Sequence, residues 1–472
     1  MDRDELHRLT LWDLSRNIRS RALSPVEAAE GCLARIEEVG PKLNAFITVC
    51  AEDALAAARA AEAEIAAGRW RGPLHGVPFA AKDIFDTAGV RTTQGSSFFR
   101  DNVPAEDAAS IRRLKEAGAI LIGKANTHEF AAGSTTKNPH WGACRNPWDL
   151  SRVPGGSSGG SGAAVAAALV PAATGTDTGG SIRGPAAMCG VVGLKPTYGR
   201  VSLSGIFPNA PSLDHAGPLA RTARDCGLLL QGMAGHEPDD PTSADVPVPD
   251  FCAEIEEGVR GMRLGLCPDL EFIEIDGAVR GAFEEAVEVL RGLGARTETH
   301  RFPLAANLQA ARQEIADAEL RAVHRERFAA HPEDFGEDLR ERLERAGGAT
   351  LDGYIRALRE REIIRRAMED LFAEADAVLL PGFPCAAAPV ESTVATVNGK
   401  EKPFMGLGRA LTGPHNLTGF PALSVPTGLS PEGLPLAMQI VGPPWEEGRI
   451  LRIAHAYEEA TPEIRSLRPP IG

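Results

Sequence analysis

Residues 155–185 read GGSSGGSGAAVAAALVPAATGTDTGGSIRGP. The stretch opens on eight residues of Gly and Ser only, Gly155 to Gly162. It passes through an apolar run and a strand-like Ala172-Ala173-Thr174. It then closes on a second Gly-containing turn, Thr178-Gly179-Gly180-Ser181. A Gly-rich run is a poor helix interior, because each Gly costs about 1 kcal/mol there relative to Ala. A flexible linker is the plainest alternative, but this run sits between Pro154 and an apolar helix in buried-looking sequence. The two loops therefore belong inside a domain.

Three chemistries can use such loops: nucleotide binding, through a phosphate loop or a dinucleotide fingerprint; a nucleophile elbow; and a nucleophile set between both loops. A phosphate loop needs G-x-x-x-x-G-K-[ST], and no Lys follows here. A dinucleotide fingerprint needs a strand before it, and Pro147 to Pro154 is not one. A nucleophile elbow fits Gly155-x-Ser157-x-Gly159 literally, with Ser157 as nucleophile. It requires a preceding strand and a downstream acid and histidine. The third chemistry uses both loops at once. Backbone N–H groups of successive Gly-rich turns converge as a nest, and Gly lets a substrate approach the backbone. A Ser ending such a turn, Ser181, is placed to attack a carbonyl whose oxyanion meets the N–H groups behind it.

Outward from this block, helix and strand patterns alternate, which argues for an α/β sheet. Ser24-Pro25-Val26-Glu27 is a capping box with Pro at the first helical position. The run Val77 to Ala81 is a short apolar strand that ends at Lys82, and Ala119-Ile120-Leu121-Ile122 is a buried strand. Strands return at Arg263, Ala377, Ala422 and Leu436, with a charged, helix-rich stretch between about 270 and 375. The expected organisation is one domain over residues 1–472. It has an N-terminal helical region to about 70, a core over about 71–235 and 376–460, and a helical insertion over about 270–375. The charged residues of 316–366 read as a solvated helix surface.

The sequence also resembles a known family, the amidase-signature hydrolases. The likeness covers Gly155 to Pro185 without a gap. Upstream it takes in Gly76-Val77-Pro78, Lys82-Asp83 and Asn126 to Gly133. Downstream it takes in Gly193 to Thr197, Ser212 to Pro218, Asn416 to Ala422 and Gln439 to Gly442. The resemblance implies a large mixed β-sheet core flanked by helices on both faces, and a Ser–cis-Ser–Lys catalytic set. Residue by residue, Ser181 is the nucleophile, Ser157 the proton shuttle behind a cis peptide, and Lys82 the base. Thr178, Gly179, Gly180 and Ser181 supply the oxyanion hole. Asp177, Arg183 and Ser158 are supports, and Ala131 and Gly133 line the acyl site. Burial lowers a lysine pKa by disfavouring the ammonium, so that neutral Lys82 accepts the proton of Ser157 and Ser157 that of Ser181.

Within the family, Thr412-Gly413-Pro414-His415-Asn416-Leu417 suggests a stand-alone amidase for a small or medium, apolar or aromatic amide, with anilide, ester or carbamate as variants. The alternative is the glutaminase subunit of a tRNA-dependent amidotransferase, which Asn126-Thr127-His128-Glu129-Phe130 resembles. Two readings of other classes are an α/β-hydrolase with Ser157 as nucleophile and an inactive binding relative. The net charge of −14 argues against nucleic acid and membrane surfaces as partners. The eight Cys show no C-x-x-C pair, so neither a metal nor another cofactor is expected. A cytoplasmic protein, with a homodimer as the candidate assembly, completes the expectation.

Overall fold

In the computed structural model, which describes residues 3–471, one large mixed sheet of eleven strands runs through the molecule. From one edge the strands are Phe46–Val49, Ile120–Ala125, Pro78–Lys82, Ala172–Asp177, His215–Ala220 and Val192–Lys195. They continue through Ala422–Leu429, Pro435–Val441, Ala377–Pro381, Arg263–Leu266 and Arg296–Thr299. Pro78–Lys82 is parallel to both of its neighbours, whereas the middle of the sheet, from Ala172–Asp177 to Ala377–Pro381, is antiparallel.

The strands are apolar at successive positions, so both faces must be covered. Phe79 and Ala81 face one core together with Leu121 and Ala172, while Ala80 faces a second with Ile120, Ile122 and Ala173. The first core is closed by helices Leu11–Ser20, Ala109–Glu116, Ala223–Met233 and Glu447–Ala460. The second is closed by Pro25–Leu43, Ala51–Ala66, Gly159–Ala166 and Arg183–Cys189. The helix Pro25–Leu43 starts where the capping signal places it. Ser24 Oγ accepts from Val26 N–H at 2.9 Å, and Ser24 N–H donates to Glu27 Oε2 at 2.9 Å.

Two local readings change. The Gly/Ser run does enter a helix, Gly159–Ala166, in spite of helix propensity. Close packing explains this: a Cβ at Gly159 would lie 2.4 Å from Thr136 Oγ1, and one at Gly160 would lie 2.3 Å from the backbone oxygen of Asn126. A clash of that size outweighs roughly 1 kcal/mol of propensity per Gly. The stretch 270–375 is also not purely helical, since Arg296–Thr299 forms the far edge of the sheet. Its long helices, Ala305–Ala330 and Leu351–Glu374, bury Leu308, Ile315 and Ile364 against Val378, Leu380 and Phe420. No helix among the described residues is long and apolar enough to cross a membrane.

Candidate functional site

Lys82 is the last residue of strand Pro78–Lys82 and is fully buried. The parallel neighbour Ala172–Asp177 places Thr174 and Thr176 beside it. Thr174 Oγ1 accepts from Lys82 N–H at 3.2 Å, and Lys82 Nζ donates to Thr176 Oγ1 and to Ser157 Oγ, each at 2.7 Å. Lys82 forms no ion pair among the described residues, and burial pushes its ammonium down to about 7 against the pull of Asp177 and Asp214. The adjacent Asp83 turns elsewhere, accepting from Thr93 N–H at 3.0 Å with Lys124 Nζ 3.9 Å away.

Ser157 follows Gly156 through a cis peptide bond, the geometry that the resemblance implies. Thr127 Oγ1 donates to the Ser157 carbonyl at 3.0 Å, which pins the loop from the opposite side. Ser158 clamps the two loops together. Its N–H donates to the Ser181 carbonyl at 3.2 Å, and its hydroxyl bridges the backbone of Thr176 at 3.3 Å. The Ser181 hydroxyl has no hydrogen-bond partner among the described residues and opens onto a cleft.

Asp177 organises the turn before Ser181. Its carboxylate accepts from Gly180 N–H at 2.7 Å and Ile182 N–H at 3.1 Å, and is paired with Arg183 at 2.8 Å, all fully buried. Burial would raise this carboxyl, but Arg183 and Asn416 hold it well below the usual carboxylate range. Arg183 is itself saturated: it also donates to the Thr412 carbonyl, Gln439 Oε1 and Asn416 Oδ1 at 2.7–2.8 Å. A buried pair this fully hydrogen-bonded rigidifies its surroundings. One consequence touches the oxyanion expectation. The N–H of Gly180 is already given to Asp177, whereas those of Thr178, Gly179 and Ser181 have no acceptor among the described residues.

The cleft in front of Ser181 spans about 530 Å³, its open mouth included, and Ala131 and Gly133 line it. Phe383 lines it as well. Phe98, Phe99 and Phe207 pack around Phe130. Sequence reasoning missed Arg312, Arg342 and Arg409, which line the cleft as well. The first two come from helices read as solvated surface or packing, and only their tertiary placement turns them inward. No histidine is hydrogen-bonded to Ser157 or Ser181 among the described residues, and no strand precedes Gly155. The elbow alternative therefore lacks both of its requirements.

The family model described as Amidase matches residues 27–451. The chain belongs to the amidase-signature family. The A-type subunit of glutamyl-tRNA(Gln) amidotransferase from Geobacter metallireducens is 43% identical over 97% of this chain and 98% of its own length. Among solved structures, one from a study of an unexpected vestigial protein complex and the origins of an s-triazine catabolic enzyme superposes with a TM-score of 0.92. It is 35% identical over 96% of this chain and 98% of its own. The corresponding A-type subunit of glutamyl-tRNA(Gln) amidotransferase from Thermotoga maritima superposes with a TM-score of 0.81 at 34% identity, over 96% of this chain and 95% of its own.

These relatives correct two expectations. The stand-alone amidase for an apolar or aromatic amide gives way to the alternative, because the 43% identical relative is one component of an amidotransferase. The motif behind that expectation braces the nucleophile turn: Asn416 Nδ2 donates to the Asp177 carbonyl at 2.7 Å and Arg183 Nη1 donates to the Thr412 carbonyl at 2.8 Å, while Thr412 also lines the cleft. The second correction concerns partners. A lone chain with a small-molecule amide and no nucleic acid does not fit a relative whose name includes a tRNA and marks it as one subunit of several. The net charge of −14 argues only against phosphate contacts made by this chain itself, and in a multi-subunit assembly other chains can make them.

Proposed function

We propose that this amidase-signature chain is the amide-cleaving subunit of an amidotransferase assembly, releasing ammonia from a primary amide through an acyl-enzyme on Ser181. The observation that carries the chemistry is the buried Lys82, unpaired with any carboxylate among the described residues and 2.7 Å from Ser157 Oγ. Neutral Lys82 takes the Ser157 proton, and Ser157 takes the Ser181 proton as Ser181 Oγ bonds to the amide carbon. The oxyanion settles against the N–H groups of Thr178, Gly179 and Ser181, with Gly180 left to Asp177. The relay then runs in reverse, delivering the proton to the leaving nitrogen. The C–N bond breaks, and water hydrolyses the acyl-enzyme by the same route.

The subunit role is supported by the end-to-end match to the A-type subunit of glutamyl-tRNA(Gln) amidotransferase. On this reading the ammonia passes to a partner subunit that amidates the glutamyl group on tRNA. The test is reconstitution with the partner subunits. Ser181→Ala should abolish amide-dependent formation of Gln-tRNA, while ammonium chloride restores it. Retained amide-dependent activity in that variant, or no association of the wild-type chain with the partners, overturns the reading.

A further inference from the structure

Three guanidinium groups stand in the wall of the cleft that holds Ser181: Arg312 on helix Ala305–Ala330, Arg342 on helix Glu337–Ala346 and Arg409 on helix Arg409–Thr412. They lie next to the nucleophile loop. A methyl group placed on Gly179, two residues before Ser181, would sit 3.8 Å from Arg312 Nη1 and 3.6 Å from Arg409 Cδ. An acyl chain leaving Ser181 past Gly179 therefore runs into guanidinium groups.

None of the three forms an ion pair among the described residues, although the buried Arg183 and Arg200 each have a carboxylate; Arg312 is buried as they are, and Arg342 and Arg409 are half-buried. Their protein contacts are few. Arg342 Nη1 donates to the Ala132 carbonyl at 2.9 Å and Arg312 Nη2 to Gln313 Oε1 at 2.7 Å. The Nε atoms of both are buried without an acceptor, and Arg312 is only 4% exposed. No carboxylate lines the cleft among the described residues. The acid that acts on all three through space is Asp317, whose Oδ2 accepts from Gln313 at 2.7 Å instead. Burial and mutual repulsion push Arg312 and Arg409 down to about 10 and Arg342 to about 9, so all three stay cationic at neutral pH. Unpaired buried cations with open donors are costly unless a ligand supplies the negative charge.

We propose that Arg312, Arg342 and Arg409 select an amide of net negative charge, gripping a carboxylate at the far end of its acyl part. This rests on the reading of Ser181 as an amide hydrolase and narrows which amide that is. A zwitterionic donor such as glutamine offers a carboxylate but also brings an ammonium into a wall of like charge, with no carboxylate among the lining residues to receive it. The monoamide of a dicarboxylic acid offers the first without the second. Charge-assisted contacts of guanidinium to carboxylate set the expected discrimination at about 10- to 100-fold per arginine removed.

The test measures binding and turnover separately with succinamate, glutaramate, L-glutamine and valeramide. Binding is read by calorimetry on Ser181→Ala, and turnover by ammonia release from the wild-type chain in its assembly. Glutaramate or succinamate should bind at least about 10-fold more tightly than glutamine and valeramide. Arg342→Gln and Arg409→Gln should each weaken the anionic amides by about 10- to 100-fold and leave valeramide within a few-fold. A merely structural role would weaken all of them alike. Equal or tighter binding of glutamine or valeramide overturns the proposal, as does uniform weakening in the arginine variants. Tight binding of the anionic amides with no ammonia released would keep the anion site and refute the hydrolase reading beneath it.

Discussion

Replacing Lys82 by arginine keeps the positive charge and most of the volume but removes the ability to become neutral, because a guanidinium does not lose its proton in a protein. Burial brings Lys82 from an ordinary value of 10.5 down to about 7. At pH 7 the neutral fraction thus rises from about one in three thousand to about one half. General-base catalysis contributes about 10²- to 10⁴-fold. Lys82→Arg should therefore lower kcat by about that factor while the chain still folds. The assay is ammonia release across pH 5 to 9 for the wild type. Its acid limb should have a midpoint near 7, falling as pH drops and Lys82 protonates, with a plateau above. The stability sign runs the same way. Lys82 is depressed in the folded state, so the unfolded chain holds its proton more tightly between about 7 and 10.5, and this group's contribution to stability rises with pH over that window. A flat activity profile down to about pH 5, or Lys82→Arg retaining more than about a tenth of wild-type kcat, would refute the lysine-base account.

Other outcomes follow from the same geometry. Asp177→Asn leaves Arg183 buried without its counter-charge, and denaturant unfolding should show a loss of about 3–5 kcal/mol. Gly160→Ala puts a methyl group 2.3 Å from the Asn126 carbonyl oxygen; it should lower Tm by several degrees, and an unchanged Tm would mean that the helix Gly159–Ala166 is not packed as described. Gly179→Ala meets only ordinary contacts, 3.6 Å to Arg409 and 3.8 Å to Arg312, so Tm should hold while KM rises as the acyl path narrows.

How much of this was legible in the sequence differs residue by residue. Ser157, Asp177, Ser181 and Arg183 lie in one contiguous block whose Gly content admits few structures. Lys82 was legible because it ends an apolar strand, a position where a lysine must be buried. Close backbone approach was harder to see. Propensity argued against a helix beginning at Gly159, and only the neighbouring Thr136 and Asn126 explain it. The diversion of the Gly180 N–H to Asp177 depends on a turn geometry that residue types do not encode. The arginines were illegible for a different reason. Arg342 sits between exposed neighbours such as Glu341 and Glu344 on a charged helix, where the period alone reads as surface. Its place in the cleft comes from how that helix packs on helix Ala305–Ala330 and Phe130, which brings it together with Arg312 and Arg409 from two other segments. Partner use was misjudged because net charge sums over a chain, whereas an assembly distributes contacts among several.

The most direct test of the central assignment is to trap the nucleophile. Treatment with a fluorophosphonate, followed by peptide mapping in the mass spectrometer, should place the adduct on Ser181, with none formed in Ser181→Ala. An adduct on Ser157, or undiminished labelling of the Ser181→Ala chain, would contradict the account.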